Sequence, residues 1–319
     1  MARNIDSGAP VKRFQRFSDV HSRYSCGARR ARCKPRRVTF IPCGNAPEVL
    51  RIVAIQKART MSTPEVLVVL PTLGDRLDTL RLSIESVNVQ RADLGVTLVV
   101  VAPPHAVEAR ELAESMGAVI VDDPKEGISA AINCGLAAHT NEKYYAWVGD
   151  DDLIRPGGLA LLRSVIESTP GTVLAFGGCE YIDPEGRTIM VSNAGRLATV
   201  LLSWGPDLIP HPGTMITLEA LQKIGGFDPS LKYAMDLDAF LKLRKHGSFA
   251  WTRTPVSAFR WHPDSLTVAN RLGSSKESES VKRRHLPKVI RPISGLWHRP
   301  VRWASAFAAG RVNARARAL

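Results

Sequence analysis

Cysteine is scarce and badly spaced in this chain: 319 residues hold five, Cys26, Cys33, Cys43, Cys134 and Cys179, an odd number with no CxxC pair. That argues against a disulfide framework and a cysteine zinc site, and it fits a reducing compartment. Long apolar runs are also missing, since no stretch approaches the roughly 20 residues needed to span a bilayer. The first residues lack the apolar core of a secretory signal, although their Arg-rich, Ser-containing character leaves an organellar transit peptide open. Acid is short at both ends. Residues 1–62 carry 14 Lys plus Arg against 3 acids and residues 276–319 carry 11 against 2, whereas residues 63–275 carry 18 against 25. The net +13 therefore belongs to the ends, at +11 and +9, and the middle is −7. An acidic core with basic extensions points to tails that touch an anionic surface and makes nucleic acid an unlikely partner.

What is present suffices for one large α/β domain. Hydrophobic residues make up 45% of the chain, and the apolar runs concentrate between about Pro64 and Asp264. Residues 1–62, with RRARCKPRR at Arg29 to Arg37, hold few apolar clusters and are expected to be a disordered basic extension. Met61 stands just ahead of the first strand, so the natural start is expected there. Residues 63–268 form the expected folded domain and residues 269–319 a basic tail that contains aromatics.

Strand-like and helix-like segments alternate along the core. EVLVVLP at Glu65 to Pro71 is a β-branched buried run, and Leu77, Leu80, Ile84 and Val87 follow at helical spacing. GVTLVVVA (Gly95 to Ala102) and AVIVDD (Ala118 to Asp123) are the next strands, with a helix over Pro104 to Met116 between them. GISAAINCGLAAH (Gly127 to His139) is a further helix and YYAWV (Tyr144 to Val148) a fourth strand. This pattern predicts a mostly parallel Rossmann-like sheet flanked by helices, with the fourth strand ending on Asp150, Asp151 and Asp152.

Three adjacent carboxylates repel one another, and a fold tolerates them at a strand's mouth chiefly when a cation absorbs the charge. The other reading is a solvated turn in which Asp152 or a neighbour caps a helix begun by Pro156. In open α/β sheets ligands bind at the carboxyl ends of strands, which is where this cluster falls.

The order of PTLGDR (Pro71 to Arg76), Gly127 to Asn133, GDDD (Gly149 to Asp152), IGGFDPSLKYAMDLDAFLKL (Ile224 to Leu243) and RWHPDSLT (Arg260 to Thr267) resembles glycosyltransferase family 2 of the GT-A fold. The resemblance covers about residues 64–268. It implies a metal-dependent inverting transfer of a hexosyl or deoxyhexosyl group from a nucleotide-diphosphate donor to a saccharide or lipid-linked acceptor, in cell-envelope or extracellular polysaccharide synthesis. Asp150 and Asp151 then align with the acids that hold manganese or magnesium against the diphosphate, and Gly149 replaces the usual first acid. Asp151 is the expected direct ligand, Asp150 a contact to the metal shell or ribose, and His262 closes the shell. Pro71, Thr72, Leu73, Asp75, Arg76, Gly127 and Asn133 are the expected donor contacts.

The second strand departs from the family pattern, because it ends VVVAPPH where relatives carry an Asp for the base. Ala102 and Pro103 cannot make that bond, which leaves Asp122 or Asp123 as substitutes or a relaxed base preference. Asp236 is the expected general base, taking the acceptor's proton. Met235 stands where the family often has Glu, and Asp238 is the competing candidate. His211, before the expected acceptor-side Gly213 and Thr214, is a weaker candidate. The tail interleaves Trp297, Trp303 and Phe307 with Arg291, Arg299, Arg302 and Arg311, which suits peripheral contact with the inner face of an anionic membrane by a cytoplasmic protein; the other reading is a disordered or partner-covering tail. Pro292 and Pro300 are expected to break any long helix there. A sugar-phosphate nucleotidylyltransferase is the alternative enzyme, disfavoured by the single glycine of PTLGDR, and a non-catalytic polyanion or membrane binder is the alternative outside enzymes.

Overall fold

Alternation of β-branched runs with amphipathic helices builds the first half of the domain. β1 (Val66–Pro71), α1 (Leu77–Gln90), β2 (Val96–Ala102), α2 (Val107–Ser115), β3 (Val119–Asp122), α3 (Ile128–Ala137) and β4 (Tyr144–Trp147) follow in order. The computed structural model describes residues 64–193, 195–262 and 270–316, all within one compact unit, Val49–Leu319. The expected 1–62 extension and the start at Met61 lie outside the described residues, as does Pro263 to Thr267 of the RWHPDSLT segment.

β1 pairs in parallel with β2 and β4, and β2 with β3. Successive β1 residues enter opposite cores: Leu67 and Val69 pack with Ile132 and Phe240, while Val66, Val68 and Leu70 pack with Leu80, Ala109 and Leu159. Period-two side chains that are apolar throughout require cover on both faces, and the helices supply it.

The second half differs from the sequence expectation. β5 (Leu153–Ile154), α4 (Gly158–Glu167), β6 (Thr172–Ile182), β7 (Thr188–Ser192), α5 (Arg196–Leu201), β8 (Thr214–Thr217), α6 (Leu218–Lys223), α7 (Met235–Leu243) and β9 (Ser248–Arg260) complete a sheet of order β3-β2-β1-β4-β8-β6-β9-β5, with β7 on β6. β4–β8, β6–β8, β6–β7 and β5–β9 are antiparallel, so the sheet is mixed and not mostly parallel. The short strand TMIT slots between β4 and β6 and runs antiparallel to both, which reverses strand direction midway across the sheet. The helix expected to open at Pro156 begins at Gly158, because Arg155 N–H bonds Val256 C=O at 2.9 Å and holds the chain on β9 first. A Cβ at position 158 would lie 2.6 Å from Val256 O, so glycine is needed for that approach.

After β9 the chain forms α8 (Arg271–His285) and α9 (Gly295–Ala316). α9 runs through Pro300 instead of breaking there. The carbonyl that Pro300 leaves without a helical partner belongs to exposed Leu296, where water can satisfy it. Among the described residues no helix is long and apolar enough to cross a membrane.

Candidate active site

β1 and β4 lie side by side and end together, so the residues after Pro71 and after Trp147 meet at one rim of the sheet. Thr72 Oγ1 donates to Asp150 Oδ2 at 2.6 Å and itself accepts the Gly74 N–H. Arg76 Nη1 lies 2.8 Å from Asp151 Oδ2 and 3.6 Å from Asp150 Oδ1. From the far end of β9, His262 brings Nε2 to 2.7 Å from the same Asp151 oxygen. Burial pushes Asp150 up to about 6; Thr72 and Arg76 oppose that rise, and the charges of Asp151 and Asp75 add to it.

Asp152 does other work. It is buried, its Oδ1 accepts the Arg260 N–H and its carbonyl accepts Ser83 Oγ, so it fastens the loop to β9 and α1. Burial, then the charge of Asp151, raises its carboxyl well above the usual range. It does not cap the following helix, whose cap position is Gly157. A Cβ at position 149 would lie 3.0 Å from both Asp151 Oδ1 and Asp152 Oδ2, so any side chain there would press on the two carboxylates.

Asp151 and His262 present a hard oxygen and an imidazole nitrogen at one point, with Asp150 beside them. Among the described residues no three His, Cys, Asp or Glu groups form a complete protein cage. Such a partial donor set fits a manganese or magnesium ion held largely by substrate phosphates, the usual manner of hard-cation binding in phosphate chemistry.

The other expected donor contacts divide. Leu73 and Asp75 are exposed on the rim with the half-buried Pro71, and Gly127 is exposed just ahead of α3 with φ +99°, a backbone conformation that favours glycine. Asn133 pairs its amide with the backbone: it donates to Phe227 C=O at 2.7 Å and accepts the Phe227 N–H at 2.9 Å, clamping the Gly225–Gly226 turn onto α3. Asp122 is tied to Arg110 at 2.8 Å, and Asp123 accepts the Lys125 N–H.

Asp236 stands in the first turn of α7. Its Oδ1 accepts the Leu237 N–H at 2.8 Å, and Oδ2 lies 3.9 Å from His211 Nδ1. The His211 ring stacks on Trp147 with centroids 4.1 Å apart and 12° between planes. Trp147 is the last residue of β4, so His211 bridges the strand that carries the Asp cluster to the helix that carries Asp236. Burial holds His211 down to about 3 and therefore neutral. Burial also pushes Asp236 up to about 7, with the charges of Asp207 and Glu277 adding to the rise and N–H donation to its carboxylate opposing it. Asp238, the competing candidate, is buried on α7 and engaged by His285 Nε2 at 2.8 Å and Lys242 Nζ at 2.7 Å.

Sequence reasoning missed Glu277. Its carboxylate, on α8, accepts the N–H groups of Lys232, Tyr233 and Ala234, the segment that leads into α7. α7 has no side-chain cap of its own at Ala234, so a residue more than forty positions downstream fixes its entry. Lys282, also on α8, is buried and donates to Gly205 C=O near Asp207. No local sequence signal marks either residue, because a Lys/Glu-rich helix ordinarily has a solvated face.

No family model matches the chain. It is 25% identical over 205 residues to an uncharacterized glycosyltransferase of Rickettsia prowazekii, covering 61% of this chain and 64% of that one. Another uncharacterized glycosyltransferase, from Rickettsia typhi, is 25% identical over 172 residues, 52% of this chain and 54% of the relative. The chain thus spans less than two thirds of the length of these curated relatives. Among solved structures, S. aureus TarS residues 1–349 with UDP-GlcNAc aligns at TM-score 0.54 and 14% identity, over 71% of this chain and 69% of that one. The mannosyltransferase PcManGT of Pyrobaculum calidifontis, with GDP-Man and Mn2+, aligns at TM-score 0.52 and 18% identity over 82% of each chain. The sheet and its helices are therefore a fold found in nucleotide-sugar transferases.

Proposed function

We propose that the chain is a divalent-metal-dependent, inverting glycosyltransferase of the GT-A, family 2 type. It would move a hexosyl or deoxyhexosyl group from a nucleotide-diphosphate sugar to a hydroxyl of a saccharide or lipid-linked acceptor. The observation that carries this reading is the single stack, Trp147 on His211 beside Asp236, that joins a poised carboxylate to the strand ending in Asp150 and Asp151. The fold shared with nucleotide-sugar transferases supports it.

Asp151 and His262 would hold the ion, with Asp150 beside them, and when bound it would neutralise charge on the departing diphosphate. Thr72 and Arg76 keep Asp150 and Asp151 in place. Pro71, Leu73, Asp75 and Gly127 are the rim positions assigned to the donor nucleotide. Asp236 Oδ2 accepts the proton of the attacking hydroxyl, and a carboxyl raised to about 7 is matched to that task near neutral pH. His211, neutral and fixed by its stack, lies 3.9 Å from Asp236 and does not compete for the proton.

A thermal-shift panel of nucleoside diphosphates with and without manganese identifies the donor, and transfer is then assayed with the matching nucleotide sugar. Asp151→Asn should abolish metal-dependent stabilisation, and Asp236→Asn should preserve it while removing transfer by about 10²–10⁴-fold. Stabilisation by manganese and nucleotide that survives Asp151→Asn would remove the reading.

A further inference from the structure

The outer face of α9 carries an exposed apolar line. Leu296, Trp303 and Phe307 are 77%, 72% and 59% exposed, and the last two rings stack at 6.0 Å with no cover from the domain. At about 100° per residue these three side chains fall within an arc of roughly 40°. On the same projection Arg299 stands about 60° to one side and Arg311 and Arg315 about 60° and 100° to the other. Among the described residues none of these three arginines pairs with an acid, whereas Arg302 is occupied by Glu279 and ties α9 to α8. The rest of α9 is anchored to the domain: Val312, on the far side, is buried, and Asn313, about 100° round on the side of Arg299, accepts Trp261 Nε1–H at 2.7 Å. The apolar surface continues through Trp297, which touches the half-exposed Trp204.

We propose that α9 docks on an anionic lipid bilayer, Leu296, Trp303 and Phe307 entering the interface while Arg299, Arg311 and Arg315 meet lipid phosphates. An exposed apolar line bordered on both sides by guanidinium groups is the arrangement an anionic interface stabilises, since the rings gain from leaving water and the charges remain at headgroup depth. Charge selects this occupant. Residues 286–316 contain no acid, so a second copy would set arginine against arginine, and residues 1–62 of this chain are themselves +11. Docking is independent of the reaction proposed above.

The test is co-sedimentation of the full chain with vesicles of phosphatidylcholine alone and with about one third phosphatidylglycerol, beside Trp303→Ser/Phe307→Ser and Arg299→Gln/Arg311→Gln variants. All altered residues are exposed, and melting temperatures confirm unchanged folding. Wild type should partition onto the anionic vesicles and not the neutral ones. The aromatic pair should lower that partition more than tenfold, and the arginine pair about fivefold per charge removed, with a weaker salt dependence. Equal partitioning of wild type and Trp303→Ser/Phe307→Ser would overturn the proposal and assign any binding to the basic residues elsewhere. Failure of wild type to bind, or concentration-dependent dimerisation lost in the aromatic variant, would overturn it as well.

Discussion

Replacing Asp236 by asparagine should separate stability from activity. The carboxyl is raised from 3.8 to about 7, chiefly by burial and then by the charge of Asp207, so the folded protein holds a proton there that the unfolded chain has released between about pH 4 and 7. Stability from this group is therefore present at low pH and lost as pH rises through about 7. At about 1.4 kcal/mol per pH unit, the raised carboxyl opposes folding by on the order of 4 kcal/mol at pH 8, where it is ionised, and by on the order of 1–2 kcal/mol at pH 5, where the folded state must hold a proton the unfolded chain has mostly released. The amide keeps an acceptor for the Leu237 N–H but leaves a donor poorly partnered, which costs about 1–3 kcal/mol at either pH. Subtracting the two conditions cancels that cost. Relative to wild type, Asp236→Asn should be more favourable at pH 8 than at pH 5 by about 2–3 kcal/mol, or roughly 5–10 °C in melting temperature for a domain of this size. Differential scanning fluorimetry at both pH values measures it without any substrate. A variant equally destabilised at pH 5 and pH 8 would refute the claim that Asp236 is poised near neutrality, and with it its suitability as a proton acceptor.

Glu277→Ala should lower stability by about 1–3 kcal/mol in urea melts, because three N–H groups ahead of α7 lose their acceptor. Glu277→Gln keeps an acceptor but removes a charge that raises Asp236, so the pH–rate midpoint should move downward. For Asp238, burial favours the neutral acid, but hydrogen bonds from His285 and Lys242 outweigh it and hold the carboxyl at about 2. Asp238→Asn should therefore melt lower than wild type at pH 7, by a margin that shrinks as pH falls from about 4 to 2. Thr72→Val removes a bond that lowers Asp150, so that carboxyl should move above about 6 and manganese titrations should show weaker binding below neutral pH.

β1 to β4 were legible because each is a short β-branched run closed by a helix with its own periodicity, and local pattern determines such units almost alone. β8 was not. TMIT has the composition of many short segments, and its antiparallel place between β4 and β6 depends on partners far along the chain. The site divides in the same way. Asp150 and Asp151 announce themselves through charge crowding at a strand's end, and the structure brings Thr72, Arg76 and His262 to them. Asn133 shows how little one polar residue on a small-residue helix reveals, since the same residue fits a ligand contact or a turn clamp, and its amide is paired with Phe227. His211 gave a faint signal, a histidine between two prolines, whose meaning appears only once its ring is seen against Trp147. Glu277 gave none, for its partners are backbone groups that no residue code reveals.

The dependence of α7 on Glu277 has a consequence during synthesis. Ribosomes deliver the sheet and Asp236 before they deliver α8, and a nascent chain not yet made as far as Glu277 would leave the entrance to α7 without its acceptor. α7 would then gain its final seating only after α8 has been made and packed against it, so the order of synthesis sets the order in which this part of the domain becomes rigid.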